Sequence, residues 1–263
     1  MKANVYGVDG KVKKEIKLPA IFSEECREEI IRRAVLSEES KLRQPKGAYK
    51  LAGKETSARY KGEKDTFGSL KNRGQAKLPR EFFGKGRWGR VRRVPHSVKG
   101  RRAHPPKVEK IIVEKINHRE WVKALRSAIA ATGDIELVQK RGHKVKESPI
   151  ILSDDFEKIG KTKDFYSALS KIIGEDLERS KNGKKVRTGV RRRKGGVIYP
   201  KSALLVAVED AAIRAARNIP GVDAIKPEEL TVRLLAPGAK PGRLAVYTES
   251  ALKKIEEIWW KNE

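Results

Sequence analysis

Cysteine, methionine and histidine are scarce in this sequence. Its 263 residues include one cysteine (Cys26), one methionine and four histidines. A single cysteine excludes an intramolecular disulfide framework and a cysteine-rich zinc site. The histidines, at positions 96, 104, 118 and 143, lack the short spacing of a metal-binding histidine pair. We therefore expect neither disulfides nor a metal centre.

Long apolar runs are also missing. No stretch approaches the roughly 18–20 consecutive apolar residues that a membrane-spanning helix needs. The amino-terminal residues lack the apolar centre of a secretory signal. We expect an intracellular, cytoplasmic protein without a membrane partner.

Signatures of nucleotide binding and acid–base catalysis do not occur in a suitable context. Residues 84–89 fit the pattern G-x-G-x-x-G, but no buried strand precedes them and no helix start follows. Asp154 and Asp155 are expected to be first-turn acids of a short helix, because negative charge is favourable there. We therefore expect no catalytic residues, no cofactor and no small-molecule substrate.

Acidic residues are few, and they are distributed unevenly. The chain has 61 Lys+Arg against 34 Asp+Glu, a net charge of +27. Residues 43–107, here called the arm, hold 20 basic and 4 acidic residues. Residues 179–201, the second basic segment, hold 10 basic and no acidic residues, and the remaining 175 residues are almost balanced at 31 against 30. Such concentrated positive charge points to a polyanionic partner, nucleic acid first.

The balanced remainder has the pattern of an α/β domain, because apolar strands alternate with amphipathic helices. We expect a three-layer α/β/α fold around a small, mainly parallel sheet of about four strands. Asn117 and Glu120 fit a capping box at the start of a helix. The predicted elements are a hairpin turning at Asp9-Gly10, helices at 24–36, 118–132, 164–173, 209–217 and 249–260, and strands at 149–152, 203–208, 232–235 and 244–247.

The arm does not follow this pattern. It contains nine Gly and six Leu, Ile or Val, too little apolar surface to form a core, but also six aromatic residues. Arginine pairs with phosphates, and aromatic side chains stack on unpaired bases, so this composition suits RNA. We predict one globular domain of residues 1–42 and 108–263, with the arm inserted as a long RNA-penetrating loop and residues 179–201 as a second basic loop.

Five stretches of the sequence are distinctive when taken together. They are Arg101-Arg102-Ala103-His104-Pro105-Pro106-Lys107, the helix from Asn117 to Ala131, Leu235-Ala236-Pro237-Gly238, Gly242-Arg243 and the helix start from Tyr247 to Leu252. With these stretches the chain resembles the universal L-four family of the large ribosomal subunit, in its archaeal form. The resemblance covers nearly the whole chain. It implies a globular domain on the subunit surface, a loop threaded through ribosomal RNA, neighbouring ribosomal proteins as partners, and no catalysis.

The resemblance also implies a function for the tip of the arm. The tip corresponds to residues 67–80, with Asn72, Arg73, Gly74 and Gln75 lining the peptide exit tunnel beside the nascent polypeptide. Charge and resemblance together predict further side chains that bind ribosomal RNA. These are Lys71, Arg73, Lys77, Arg80, Lys85, Arg87, Trp88, Arg90, Arg92, Arg93, Arg101, Arg102, His104, Arg187, Arg191, Arg192, Arg193 and Lys194.

A DNA-compacting or regulatory nucleic-acid-binding protein is the alternative interpretation. Such a protein needs a basic dimer surface or a helix that reads a groove. Here the predicted helices are nearly neutral and the charge lies in irregular segments. A structural role in the large subunit is therefore the preferred hypothesis.

The charge pattern predicts steeply salt-dependent RNA binding. If the arm neutralises ~8 phosphates, log K should fall with log salt concentration at a slope of about −6 to −7, between the single-strand and duplex limits. Filter binding of the protein to structured RNA across a salt series measures this slope. A slope near zero would contradict the electrostatic interpretation.

Overall fold

In the computed structural model, described here for residues 1–189 and 195–259, the chain forms two compact units. The first comprises Met1–Leu42 and Val113–Glu263, and the second Arg43–Ile112. The strands are β1 (Lys2–Tyr6), β2 (Val12–Lys17), β3 (Arg80–Phe82), β4 (Trp88–Val91), β5 (Ile150–Leu152), β6 (Lys185–Val186), β7 (Val197–Ile198), β8 (Leu204–Val206), β9 (Asp223–Ile225) and β10 (Ala245–Thr248). The helices are α1 (Glu28–Lys41), α2 (His118–Ala131), α3 (Ile135–Lys140), α4 (Thr162–Asn182), α5 (Asp210–Arg217), α6 (Val232–Leu235) and α7 (Glu249–Trp259).

The first unit is built on a six-stranded sheet with the order β2-β1-β5-β10-β8-β9. Strands β1, β5, β10, β8 and β9 run parallel, and β2 pairs antiparallel with β1 at one edge. The hairpin expected around Asp9-Gly10 is confirmed, since Gly10 takes a φ of +80° in the turn between β1 and β2. The mainly parallel α/β architecture is confirmed, with six strands where about four were expected.

Side chains alternate between the two faces of the sheet and fill two separate cores. In β5, Ile151 faces one core while Ile150 and Leu152 face the other; in β10, Tyr247 and Val246 alternate in the same way. Helices α1, α2 and α7 cover the first face, and α4 and α5 cover the second. Because both faces of the parallel strands are apolar, both must be covered, and the result is the three-layer arrangement.

One predicted strand is wrong. Residues 232–235 form helix α6, because the carboxylate of Glu38 accepts hydrogen bonds from the backbone N–H groups of Val232 (3.2 Å) and Arg233 (2.8 Å). A carboxylate in this position satisfies the free N–H groups of a first helical turn. The sheet position is taken instead by β9, which sequence analysis missed because it has three half-buried residues and begins with an aspartate.

The predicted helices are confirmed with shifted boundaries. Helix α4 does not stop at Gly174 but continues to Asn182 across a break at Ile173, since Leu177 on its next turn is also buried. Asn117 is the N-cap of α2, but its side chain makes no capping hydrogen bond. Glu120 pairs instead with Arg33 at 2.8 Å, so the expected capping box does not form.

The second unit has short local structure that composition did not predict. Strands β3 and β4 form an antiparallel hairpin, and an isolated bridge joins Arg59 to Arg80. Ala58 and Leu70 are its buried apolar residues. The arm therefore folds through backbone pairing and a few side chains. Within the described residues, no helix is long and apolar enough to cross a membrane.

We predict that the first unit folds without the arm. Neither of its two cores includes a residue from 43–107. The chain ends flanking the arm are already held together, because Ser37 and Ser40 exchange hydrogen bonds with the backbone of Glu114. Joining residue 42 to residue 108 should leave a cooperative circular-dichroism melt, with a midpoint changed by less than about 5 °C. A non-cooperative melt would show that the arm belongs to the core.

Candidate nucleic-acid interface

The β3–β4 hairpin organises the arm. Arg59 and Arg80 exchange two backbone hydrogen bonds of 3.0 and 3.1 Å, which add a third extended segment beside the hairpin. The turn between the strands is closed by the N–H of Phe83 donating to the carbonyl of Arg87 at 3.1 Å, with Gly84 and Gly86 both at positive φ. Two glycines of the G-x-G-x-x-G pattern at residues 84–89 are thus the residues that let the chain reverse here.

Two aromatic rings of the arm are covered by cations of the arm itself. The ring centroids of Phe82 and Trp88 lie 5.1 Å apart. The guanidinium of Arg59 lies over Phe82 at 5.4 Å, and the ammonium of Lys61 lies over Trp88 at 4.9 Å. Trp88, predicted as an RNA contact, is half-buried and stabilises the hairpin instead. Its ring already contacts the ammonium of Lys61.

Other aromatic rings of the arm remain open to solvent. Phe67 is 96% exposed, Phe83 69%, Tyr49 63% and Tyr60 55%. The N–H of Ser69 donates to the carbonyl of Thr66 at 3.1 Å, so Phe67 lies at the apex of a tight turn. These exposed rings can offer a face to an unpaired base.

Arg92 likewise forms its hydrogen bonds within the arm. Its Nε donates to the carboxylate of Glu81 at 2.6 Å and its terminal nitrogen to the carbonyl of Val98 at 2.6 Å. The hydrogen bond and charge of Arg92 lower the pKa of Glu81. Arg92, predicted as an RNA contact, therefore ties the end of β4 to the loop that follows it.

The predicted RNA-binding residues divide by exposure. Lys71, Arg80, Trp88, Arg92 and Arg187 are partly buried. Arg191, Arg192, Arg193 and Lys194 lie outside the described residues. The exposed residues are Arg73, Lys77, Lys85, Arg87, Arg90, Arg93, Arg101, Arg102 and His104.

The predicted tunnel-lining residues form one solvent-exposed turn. Asn72 (φ +59°) and Gly74 (φ +66°) both adopt the left-handed conformation, which asparagine and glycine tolerate best. Asn72, Arg73, Gly74 and Gln75 are all exposed. Leu70, which is 5% exposed, anchors the start of this turn through a hydrogen bond from its N–H to the carbonyl of Lys61 at 3.0 Å.

The second basic segment contains a short hairpin, here called the basic hairpin and described for residues 184–189 and 195–200. Its strands β6 and β7 pair through Lys185 with Ile198 and Val186 with Val197. Val186 is 70% exposed and Ile198 48%, so these side chains have little packing against the body. A two-stranded hairpin with little apolar contact is marginal by itself.

A buried polar network that sequence analysis missed lies at the base of the basic hairpin. Its centre is the carboxylate of Asp176, a residue with 0% exposure. One oxygen accepts from Nδ1 of His143 and Nε of Arg179, both at 3.0 Å, and the other accepts from the hydroxyl of Ser202 at 2.6 Å. Arg243, 1% exposed, donates to the carbonyl of Ser202 at 3.0 Å and pairs with Asp223 at 2.7 Å.

The network keeps its carboxylates ionised. Burial alone would raise the pKa of Asp176, but hydrogen bonds from His143 and Ser202, with the charge of Arg179, lower it below its usual value. Arg141, at the end of α3, donates to the carbonyls of Pro237 and Lys240, and burial with Arg243 and Arg179 nearby lowers its pKa to about 10. A signal for this network was present in the sequence, because Asp176 falls on the apolar face of α4, seven residues after Leu169.

These features define a class of protein: a balanced α/β domain that carries exposed basic extensions for a polyanionic partner. A family model described as Ribosomal protein L4/L1 family matches residues 16–258. The chain belongs to this family, and the family resemblance read from the sequence is confirmed. The family is a structural, non-enzymatic one.

Close relatives occur in methanogenic archaea, each named large ribosomal subunit protein uL4. The protein of Methanocaldococcus jannaschii is 46% identical over 262 residues, which cover 98% of this chain and 99% of the relative. The Methanoculleus marisnigri protein is 43% identical over 260 residues, covering 98% of this chain and the whole of the relative. That of Methanococcus aeolicus is 42% identical over 263 residues.

The contrast between Arg87 and Arg92 yields a prediction. Arg87 is exposed, so Arg87→Gln should leave the arm folded, weaken RNA binding and reduce the salt slope by about 1. Arg92→Gln removes the hydrogen bonds to Glu81 and Val98, so it should loosen the arm. Filter binding across a salt series, with limited trypsin digestion of the free protein, measures both effects.

The two variants are matched because each removes one positive charge. Faster digestion is expected for Arg92→Gln alone. An unchanged salt slope for Arg87→Gln would exclude Arg87 from the phosphate contacts.

Proposed function

We propose that this protein is a structural constituent of the large ribosomal subunit that binds ribosomal RNA and acts in translation on cytoplasmic ribosomes. Family membership supports this role, since the relatives are named as large-subunit proteins over nearly their full length. Within the chain, one observation carries the argument: the arm folds as a separate unit with little apolar core and a row of exposed cations.

Charge in the arm favours RNA over other partners. Phosphate groups in RNA are spaced closely enough that a basic extended chain neutralises several of them at once, which releases counterions and stabilises the complex. Exposed rings such as Phe67 and Phe83 add faces for stacking on unpaired bases, which DNA duplexes do not offer. Taken together, the described helices are nearly balanced in charge, and the excess of positive charge lies outside them, which disfavours a groove-reading DNA-binding protein.

We further propose that different segments of the chain contact different parts of the ribosome. Residues 1–42 and 108–263 form the globular domain that also contacts neighbouring large-subunit proteins, and residues 43–107 penetrate the RNA. The second basic segment provides a further RNA contact. The exposed turn at Asn72, Arg73, Gly74 and Gln75 faces the exit tunnel and the nascent polypeptide; it is suited to a polar passage because it presents no large apolar side chain.

Sucrose-gradient fractionation of a native-cell lysate tests the function. We expect the protein to sediment with the large subunit and to stay there when low magnesium separates the subunits. A chain lacking residues 43–107, expressed at the same level, should appear mainly at the top of the gradient because it lacks most of the proposed RNA contacts.

Ribonuclease and deoxyribonuclease treatments provide the controls. Release by ribonuclease but not by deoxyribonuclease is expected. Cosedimentation with chromosomal DNA, sensitive to deoxyribonuclease, would favour the DNA-compacting alternative over the ribosomal role.

A further inference from the structure

The described residues of the basic hairpin have little packing that could fix its direction. Its two strands are two residues long, and Lys184, Lys185 and Val186 are exposed. What fixes its direction must therefore act at its base, where α4 ends and β8 begins.

Polar side chains tie the base of the hairpin to the last turns of α4. The hydroxyl of Ser180 donates to the carbonyl of Pro200 at 2.6 Å, and the guanidinium of Arg179 donates to the carbonyl of Lys201 at 3.0 Å. Ser202, one residue further on, donates its hydroxyl to Asp176 at 2.6 Å. Three successive residues of the segment that leads from the hairpin to β8 are thus held by one face of α4.

Close packing leaves this base little freedom. At Gly221, an added Cβ would meet the hydroxyl oxygen of Ser180 at 1.9 Å and the carbonyl oxygen of Pro200 at 2.4 Å. The N–H of Ser202 donates to the carbonyl of Gly221 at 2.8 Å. The chain that leaves the hairpin is therefore wedged between α4 and the segment leading to β9.

Asp176 connects all of these parts. It binds Arg179 on α4, Ser202 two residues before β8, and His143 on the loop after α3. Removing a carboxylate from water costs free energy, and an apolar side chain of similar size often stabilises a core equally well. The buried carboxylate of Asp176 is therefore better explained by the geometry that it imposes on its partners than by a gain in the stability of the fold.

We propose that Asp176 is a positioning residue: it sets the direction in which the basic hairpin leaves the domain, so that the hairpin's cations meet RNA phosphates together. This rests on the proposed function, specifically on the second basic segment as an RNA contact. Asp176 itself does not touch RNA, because it is fully buried.

The decisive comparison pairs Asp176→Asn with Glu157→Gln in the full-length protein. Glu157 is also a buried carboxylate, 7% exposed, that accepts hydrogen bonds from Val208 N–H, Thr248 and Ser250 at the opposite edge of the sheet. Both variants lose one buried charge and should melt at lower temperature. Only Asp176→Asn should weaken binding to transcribed archaeal large-subunit ribosomal RNA, by about fourfold at ~0.15 M salt for each phosphate that the hairpin no longer neutralises.

Directed hydroxyl-radical cleavage reports direction, which stability alone would not change. Cys26, the single cysteine, is replaced by Cys26→Ser, and Val186→Cys provides a thiol on β6 for an iron–EDTA tether. We expect a focused set of RNA cleavages, retained in Glu157→Gln and spread over more nucleotides in Asp176→Asn. Ser202→Ala, which removes a single donor to Asp176, should spread the cleavages less and serves if Asp176→Asn does not fold.

Three results would overturn the proposal. Equal binding losses in Asp176→Asn and Glu157→Gln would show a general stability effect. Focused cleavage in both Asp176→Asn and Ser202→Ala would show that the hairpin keeps its direction without the network. If replacing Lys184, Lys185 and Arg187 together with Arg191, Arg192, Arg193 and Lys194 by glutamine leaves RNA affinity unchanged, these cations make no RNA contact for Asp176 to position, and that part of the proposed function fails as well.

Discussion

Repulsion between like charges is the constraint on which the arrangement of this molecule depends. The arm and the second basic segment hold 30 of the 61 basic residues but only 4 of the 34 acidic ones, so they cannot neutralise themselves in a compact core. The apolar residues are collected instead around a parallel sheet, where both faces are covered. The excess positive charge is left in segments that contribute nothing to these two cores, and each segment has to be held by a small number of specific contacts.

Two buried carboxylates show how the core holds the parts attached to it. Glu157 lies beyond the carboxyl ends of β5, β8 and β10 and accepts from three donors: Val208 after β8, and Thr248 and Ser250 at the end of β10 and just after it. Asp176 lies at the opposite edge and gathers His143, Arg179 and Ser202. A carboxylate can accept several hydrogen bonds at once, so one residue joins several chain segments where the sheet itself ends. The second of these edges carries the basic hairpin.

The periodicity of apolar residues predicted the elements of the core better than the contacts within the candidate RNA-binding arm. Strands such as Leu204–Val206 and Ala245–Thr248 are continuous apolar runs, and α2 has a clear apolar stripe, so each could be predicted locally. The helical state of residues 232–235 could not, because it depends on Glu38, almost 200 residues earlier in the chain. In the arm, composition identified the exposed cations, whereas the covering of Trp88 by Lys61 depends on how the chain folds back.

The contacts within the arm also explain how it can be ordered and still remain basic. An ion pair such as Arg92–Glu81 fixes the chain but cancels one positive charge. A cation lying over an aromatic ring fixes the chain as well, at about 0.5–1 kcal/mol for an exposed contact, without adding any negative charge. Arg59 over Phe82 and Lys61 over Trp88 follow the second route. Aromatic residues in the basic arm therefore have two roles. Half-buried rings hold the arm together without cancelling its charge, and exposed rings such as Phe67 are available to stack on a base.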